Sequence, residues 1–413
     1  MSSRNLHKTI LSTASAVLAL GLVACGSTGP TQYQALQLTD QETASISSKP
    51  LYLQPMYRKL FEEGLRNEVL NRMEIGTAAF YRGDLDEARQ SFDVALSRIE
   101  TVYADNDNAT KARSLWYEEG RKDFKGEPYE RAMAYYYRGL IYLIDGEYDN
   151  ARASFVGGLM QDAFAEEEQN RSDLAIMLYL AGYSAQKMGS NVLAEEAFDE
   201  LRALRPEFPF PDPDSNVLVI AETGKAPRKL ADGMGHYQLV FRPGKQFKEK
   251  QLVINAEGQA LQPLPLESVY FQATSRGGRP VDAIVEGKAS FANNSAEVGK
   301  TLGQLGVAAN VYAPLAGGST GQVGNTLALI GVASMALSQN VKPRADTRYW
   351  SNLPDMLHVD ALQMPRGVGS VENWQAKYFD FDGNPVELAS GVFHHYEDPN
   401  GNHIIWHSSQ PRD

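Results

Sequence analysis

Seven histidines are the first place to look for a catalyst or a metal centre, and four of them crowd the C-terminus: His394, His395, His403 and His407. They flank Asp398-Pro399-Asn400-Gly401, a turn sequence that predicts a β-hairpin. Adjacent strand residues point to opposite faces, so His394 and His395 cannot serve one ion together. Strand-surface roles are expected for all four rather than metal ligation. Asp380, Asp382 and Asn384 imitate the start of a calcium loop. Gly383 comes too early for an EF-hand, however, and Gly391 stands where the bidentate glutamate belongs. A turn between strands is the expectation. The glycine-rich Gly317–Gly324 has no lysine of the kind a phosphate loop needs. Gly299, Gly303 and Gly306 do not match a dinucleotide fingerprint. Neither a Gly-x-Ser-x-Gly elbow nor a His-Glu-x-x-His helix occurs. The run Glu166-Glu167-Glu168 reads as a solvated face or a helix start. No catalytic residue, cofactor or metal is expected, and the chain reads as a non-enzyme.

The remaining reactive residue is Cys25, the only cysteine. Arg4 and Lys8 form a short positive segment, and residues 9–23 form an apolar run too short for a comfortable membrane span. Leu22, Val23 and Ala24 then lead directly into Cys25. This stretch resembles the lipobox of bacterial lipoproteins. The resemblance implies cleavage after residue 24, a diacylglycerol on the Cys25 thiol, and a further acyl chain such as palmitate on the new amine. Two or three acyl chains anchor stably where one does not. With that thiol modified, no cysteine is left for catalysis or for an intramolecular disulfide. Gly26 and Ser27 follow, without the aspartate that favours inner-membrane retention, so the outer membrane is expected.

Charge makes the anchor matter. The chain has 39 basic and 51 acidic residues, and loss of Arg4 and Lys8 leaves the mature form at −14. So acidic a chain is a poor partner for nucleic acid and cannot adhere to anionic lipid by general electrostatics. With 43% hydrophobic and 22% charged residues, most of it can fold.

The elements that position these residues fall into two halves. Residues 25–50 read as a flexible tether, residues 51–206 as helical, residues 207–215 as a proline-rich linker, and residues 216–413 as β-rich. The helical half contains a repeat: Gly76, Gly83, Ala88, Phe92; then Gly139, Gly146, Ala151, Phe155; then Gly182, Gly189, Ala194, Phe198. In each, seven residues separate the glycines, five lead to the alanine and four more to the phenylalanine. These segments resemble tetratricopeptide repeats. The first glycine lets two antiparallel helices approach, the second sits in their turn, and the phenylalanine fills the groove. Such stacks offer a concave surface to peptides or proteins, which Tyr135, Tyr136, Tyr137 and Tyr142 could line if they are not packing residues between helices. The β-rich half divides into residues 216–296 and 341–413 around an apolar Gly/Ala-rich insert at 297–340. The insert reads as a helical hairpin packed on the sheet, with oligomerisation or membrane insertion as its sharper reading. A sandwich-like sheet arrangement follows, so the class is α+β.

The lipobox, the irregular repeats and the segments GEPYERAMAYYYRGLIYL, QDAFAEEEQNRSD, RGGRPVDAI and RADTRYWSNLPD together are similar to a poorly characterised family of bacterial outer-membrane lipoproteins. Members often accompany other small envelope lipoproteins, including ones similar to the curli secretion pore subunit or to penicillin-binding-protein activators. The resemblance implies a lipid-anchored, periplasm-facing scaffold that binds envelope proteins, and it carries no active-site residues. The alternative is a lipoprotein that binds glycan or another envelope polymer, with Trp350, Trp374 and Trp406 as stacking platforms.

Overall fold

The computed structural model describes residues 35–103, 123–163, 174–232, 238–245, 247–256, 258–274, 346–364, 367–380, 382–389 and 391–410. The insert at 297–340, Glu166–Glu168, Gly317–Gly324 and the lipobox lie outside them. Contacts divide the chain into Met1–Gln37 and Leu38–Asp413. Every helix and strand named below belongs to the second unit, which is mixed α+β, with helices in the N-terminal half and sheets in the C-terminal part.

The tether expected over residues 25–50 does not run unbroken to residue 50. Helix α1 spans Asp40–Ser48, because Thr39 and Glu42 form a reciprocal capping box at its start. Its Ile46 is buried with Leu53, Tyr57, Leu60 and Ile75. Helix α2 (Gln54–Glu63) and a 3-10 turn (Gly64–Asn67) lead into three helical hairpins. These are α3 (Glu68–Phe80) with α4 (Leu85–Tyr103), α5 (Pro128–Ile144) with α6 (Tyr148–Ala163), and α7 (Ala175–Lys187) with α8 (Asn191–Leu204).

The hairpins share one packing device. A Cβ on Gly76, Gly139 or Gly182 would lie 2.9, 2.4 or 2.3 Å from the ring of Phe92, Phe155 or Phe198. Only a glycine lets those rings reach the facing backbone. Gly83, Gly146 and Gly189 turn the chain with φ of 75°, 74° and 73°. Ala88, Ala151 and Ala194 are buried beside the rings. The proline-rich segment at 207–215 is no free spacer: Phe208 packs on Tyr179 and Phe210 on Phe198, at 5.9 and 5.4 Å between ring centres.

The C-terminal part contains β1 (Val217–Thr223), β2 (Arg228–Asp232), β3 (Gln238–Arg242), β4 (Gln251–Ala256), β5 (Gln259–Leu261), β6 (Leu264–Ser268), α9 (Val269–Thr274), β7 (Met356–Leu362), β8 (Gln375–Phe379), β9 (Pro385–Val386), β10 (Val392–Glu397) and β11 (His403–Ser408). A five-stranded sheet runs β10-β11-β1-β7-β6, with β1 and β11 parallel and the other pairs antiparallel. Strands β5-β4-β8-β9 make a second sheet, and β2-β3 a ribbon. The two β-rich stretches are thus not separate pieces, since β1 pairs with β7 and β11 across the insert.

Strand β1 is buried along its whole length because both its faces are covered. Leu218 and Ile220 join the helical core, while Val217, Val219 and Ala221 join Leu252, Ile254 and Tyr378 of the second sheet. The layers run helices, five-stranded sheet, four-stranded sheet.

One stretch expected as β is helical. Residues 269–274 form α9 because Ser268 Oγ accepts the Phe271 N–H and Asp355 accepts those of Val269 and Tyr270. Capping by the Asp355 carbonyl and by the Asp355 and Ser268 side chains outweighs the β propensity of Val269, Tyr270 and Phe271.

Candidate functional site

The side chains with the most altered chemistry sit where the helices meet the five-stranded sheet. Alternation along β1 places Glu222 on the face of Leu218 and Ile220, towards the helices. There it accepts hydrogen bonds from Tyr137 (2.9 Å), Tyr81 (3.1 Å) and Tyr136 (3.2 Å). Around this carboxyl, Trp406 of β11 packs edge-on against Phe80 at 5.2 Å and beside Tyr81 at 5.0 Å. Phe92 stacks on Tyr137 at 5.5 Å. Burial pushes the Glu222 carboxyl up to about 7 against the pull of its hydrogen bonds. Burial and the nearby Glu222 push the Tyr81, Tyr136 and Tyr137 hydroxyls well above their ordinary range.

Two more buried carboxyls close the same seam. Glu130, in the first turn of α5, accepts the backbone N–H of Glu127 and that of Trp350, both at 2.7 Å. Burial pushes it up to about 7 although Lys229 beside it pulls down. Lys229 itself is buried and pairs with Glu127 at 2.6 Å. Burial opposes its charge, but Glu127, Asp346 and Glu130 raise its ammonium above the ordinary value. Glu267 of β6 accepts the Ala175 N–H at the start of α7 (2.8 Å) and the Gln272 amide (3.1 Å). Burial pushes it up to about 7 as well. Each carboxyl therefore satisfies donors from elements that must come together, which suits a structural interlock. Among the described residues, a cleft beside α1 and α2 and another beside Gly146 and Lys187 are lined by other residues.

The expected candidates divide accordingly. Tyr136 and Tyr137 are sealed against the sheet, while Tyr135 and Tyr142 are half-buried, Tyr135 bonding Glu100 and Tyr142 lying under Arg138. Trp350, Trp374 and Trp406 are buried, so none is a stacking platform for a glycan. The hairpin β10-β11 forms around Asp398, whose carboxylate accepts the N–H groups of Asn400 and Asn402. Asp380 does the same for Asp382 and Asn384 in a turn between β8 and β9. The four histidines separate as strand parity requires, but His403 and His407 are buried rather than on a strand surface. His394 faces the helices, stacked on Trp406 and bonded to the Tyr81 carbonyl at 3.0 Å. On the other face His407 bonds Tyr378 (2.9 Å) and the Val392 carbonyl, and His395 meets His403 at 3.1 Å. Burial lowers His407 to about 3, and it does the same to His358, which pairs with Thr223 at 2.9 Å. Among the described residues no group of three or more His, Cys, Asp or Glu is placed to hold a metal ion.

Sequence reasoning missed Glu222, Glu130, Glu267 and Lys229. For Glu222 the signal was present: a charged residue in phase with the inward apolar side of a strand buried on both faces. For the others the partner that joins separate elements lies far along the chain, 92 residues for Ala175 to Glu267 and 220 for Glu130 to Trp350. No family model matches the chain, and no curated protein matches it either.

Proposed function

We propose that the chain is a lipid-anchored, periplasm-facing scaffold of the outer membrane, without catalytic activity of its own, that presents a rigid body to envelope proteins. Its three hairpins resemble tetratricopeptide repeats in their glycine–phenylalanine packing. An open array of such repeats offers its inner face to a partner. The observation that carries the reading is that this face is already taken: Phe80, Tyr81, Tyr136 and Tyr137 bury against Glu222 and Trp406 of the chain's own sheet. Partners then meet the outer helices α4, α6 and α8, whose Gln90, Ala153 and Glu196 are exposed. Acyl chains on Cys25 keep this acidic body at the membrane.

In-cell photo-crosslinking tests the reading. A photoreactive residue at 90, 153 or 196 should give a discrete adduct with an envelope protein. The adduct should fall sharply in Cys25→Ser, which fractionation should find released from the membrane yet folded. No adduct from any of the three positions, or a Cys25→Ser chain still firmly membrane-bound, would contradict it.

A further inference from the structure

We infer that the α1–α2 end of the body is a membrane-facing surface that seats against lipid headgroups, an inference that rests on acylation of Cys25. The first observation is charge. Residues 25–82 contain six acidic and six basic residues, so the whole −14 of the mature chain resides in residues 83–413. Anionic headgroups repel that larger part and leave the neutral end as the side that can approach.

The second observation is the surface found there. Leu51, in the turn between α1 and α2, is 83% exposed, and Leu65, just after α2, is 67% exposed. Leu51 edges a shallow cleft with Ile46, Pro55, Arg58, Lys59 and Glu62. Arg58 and Lys59 keep 53% and 44% of their side-chain surface exposed while pairing with Glu62 and Glu74. Exposed leucine beside long basic side chains suits the boundary between acyl chains and headgroups, where the stems lie along apolar surface and the charges reach phosphate.

The third observation is covalent. Thirteen residues lead from Cys25 to Leu38, which at full extension span about 45 Å. Helix α1 begins two residues after Leu38, and Lys49 fastens the α1–α2 turn to α4 through Glu87 at 2.6 Å. An anchored Cys25 therefore holds this end within that reach of the bilayer. A patch too weak to bind lipid alone becomes a contact at high local concentration.

The native chain helps the test, since acylated Cys25 leaves no other thiol. Leu51→Cys can then carry a single environment-sensitive fluorophore on the full acylated protein. The reference label is at Leu388, which is 41% exposed just after β9 at the edge of the four-stranded sheet. Both are placed in vesicles of phosphatidylethanolamine and phosphatidylglycerol containing a lipid-borne quencher. The expected result is a blue shift and several-fold stronger quenching at 51 than at 388. Equal quenching at both sites, with the protein cosedimenting, overturns the seating surface and leaves the anchor intact. A blue shift at 51 that needs no vesicles and grows with protein concentration identifies a second copy as the occupant and overturns it too. Failure of the acylated protein to cosediment overturns the anchor, and the surface with it.

Discussion

Replacing Glu222 by leucine should destabilise the protein by about 3 kcal/mol or more at pH 5.5, and by less at pH 8. The loss comes from Tyr81, Tyr136 and Tyr137, whose buried hydroxyls all donate to this carboxyl. A buried hydroxyl left without an acceptor costs roughly 1–3 kcal/mol; Tyr136 loses its acceptor, while Tyr81 and Tyr137 keep long contacts of 3.4 Å, to the Asn352 carbonyl and to each other. The pH dependence comes from the carboxyl itself. Burial raises it to about 7 from its ordinary 4.5, so the folded chain holds a proton there that the unfolded chain releases. Its contribution is full below about 4.5 and is lost as pH rises through about 7. The whole interval corresponds to about 3 kcal/mol, of which about 2 kcal/mol falls between pH 5.5 and 8, and leucine does not forfeit it. His358 and His407, lowered to about 3, act in the opposite sense, but they are common to both proteins and cancel in the difference. Denaturant unfolding at the two pH values measures both quantities. A Glu222→Leu midpoint equal to wild type at pH 5.5 would remove the interlock.

The second large effect is expected at Gly139. Valine there should cost about 3 kcal/mol or more, although glycine is the poorer helix former by roughly a few tenths of a kcal/mol. A Cβ at this position would lie 2.4 Å from Phe155, a ring with no exposed surface and therefore nowhere to move. At Gly189 the space is open and only its φ of 73° resists a side chain, so Gly189→Ala should cost no more than about 1 kcal/mol. Phe155→Ala combined with Gly139→Val should lose clearly less than the two separate losses together, because the smaller side chain vacates the space valine needs. Additive losses in denaturant unfolding would mean that the two residues do not press on each other.

What was legible in the sequence was local. Repeating Gly–Gly–Ala–Phe spacing marked three helical hairpins, and Asp398-Pro399-Asn400-Gly401 marked the turn between β10 and β11. Strand parity alone separates His394 from His395. What was not legible was long-range. Strand β1 pairs with β11 across more than 180 residues, as in Val217 with His403, and no periodicity announces that partner. Tyr136 and Tyr137 have the composition of a recognition surface, and only the sheet folded back over them makes them core. The three C-terminal tryptophans misled in the same way, since burial depends on layers that one strand's pattern does not show. Helix α9 was lost to β propensity because its N-terminal N–H groups are capped by Asp355, far away in the chain.

The most direct test of a helical array sealed by its own sheet is whether the two halves unfold together. In Trp116→Phe, Trp374 reports on the four-stranded sheet and Trp350 and Trp406 on the seam, where they pack against Phe92, Phe80 and Tyr81, while far-UV circular dichroism is dominated by the helices. The buried seam through Glu222, Glu130 and Glu267 predicts superimposable denaturant transitions with one midpoint for both signals. A helical signal that melts separately from the tryptophan fluorescence would show an inner face free to open, and would contradict it.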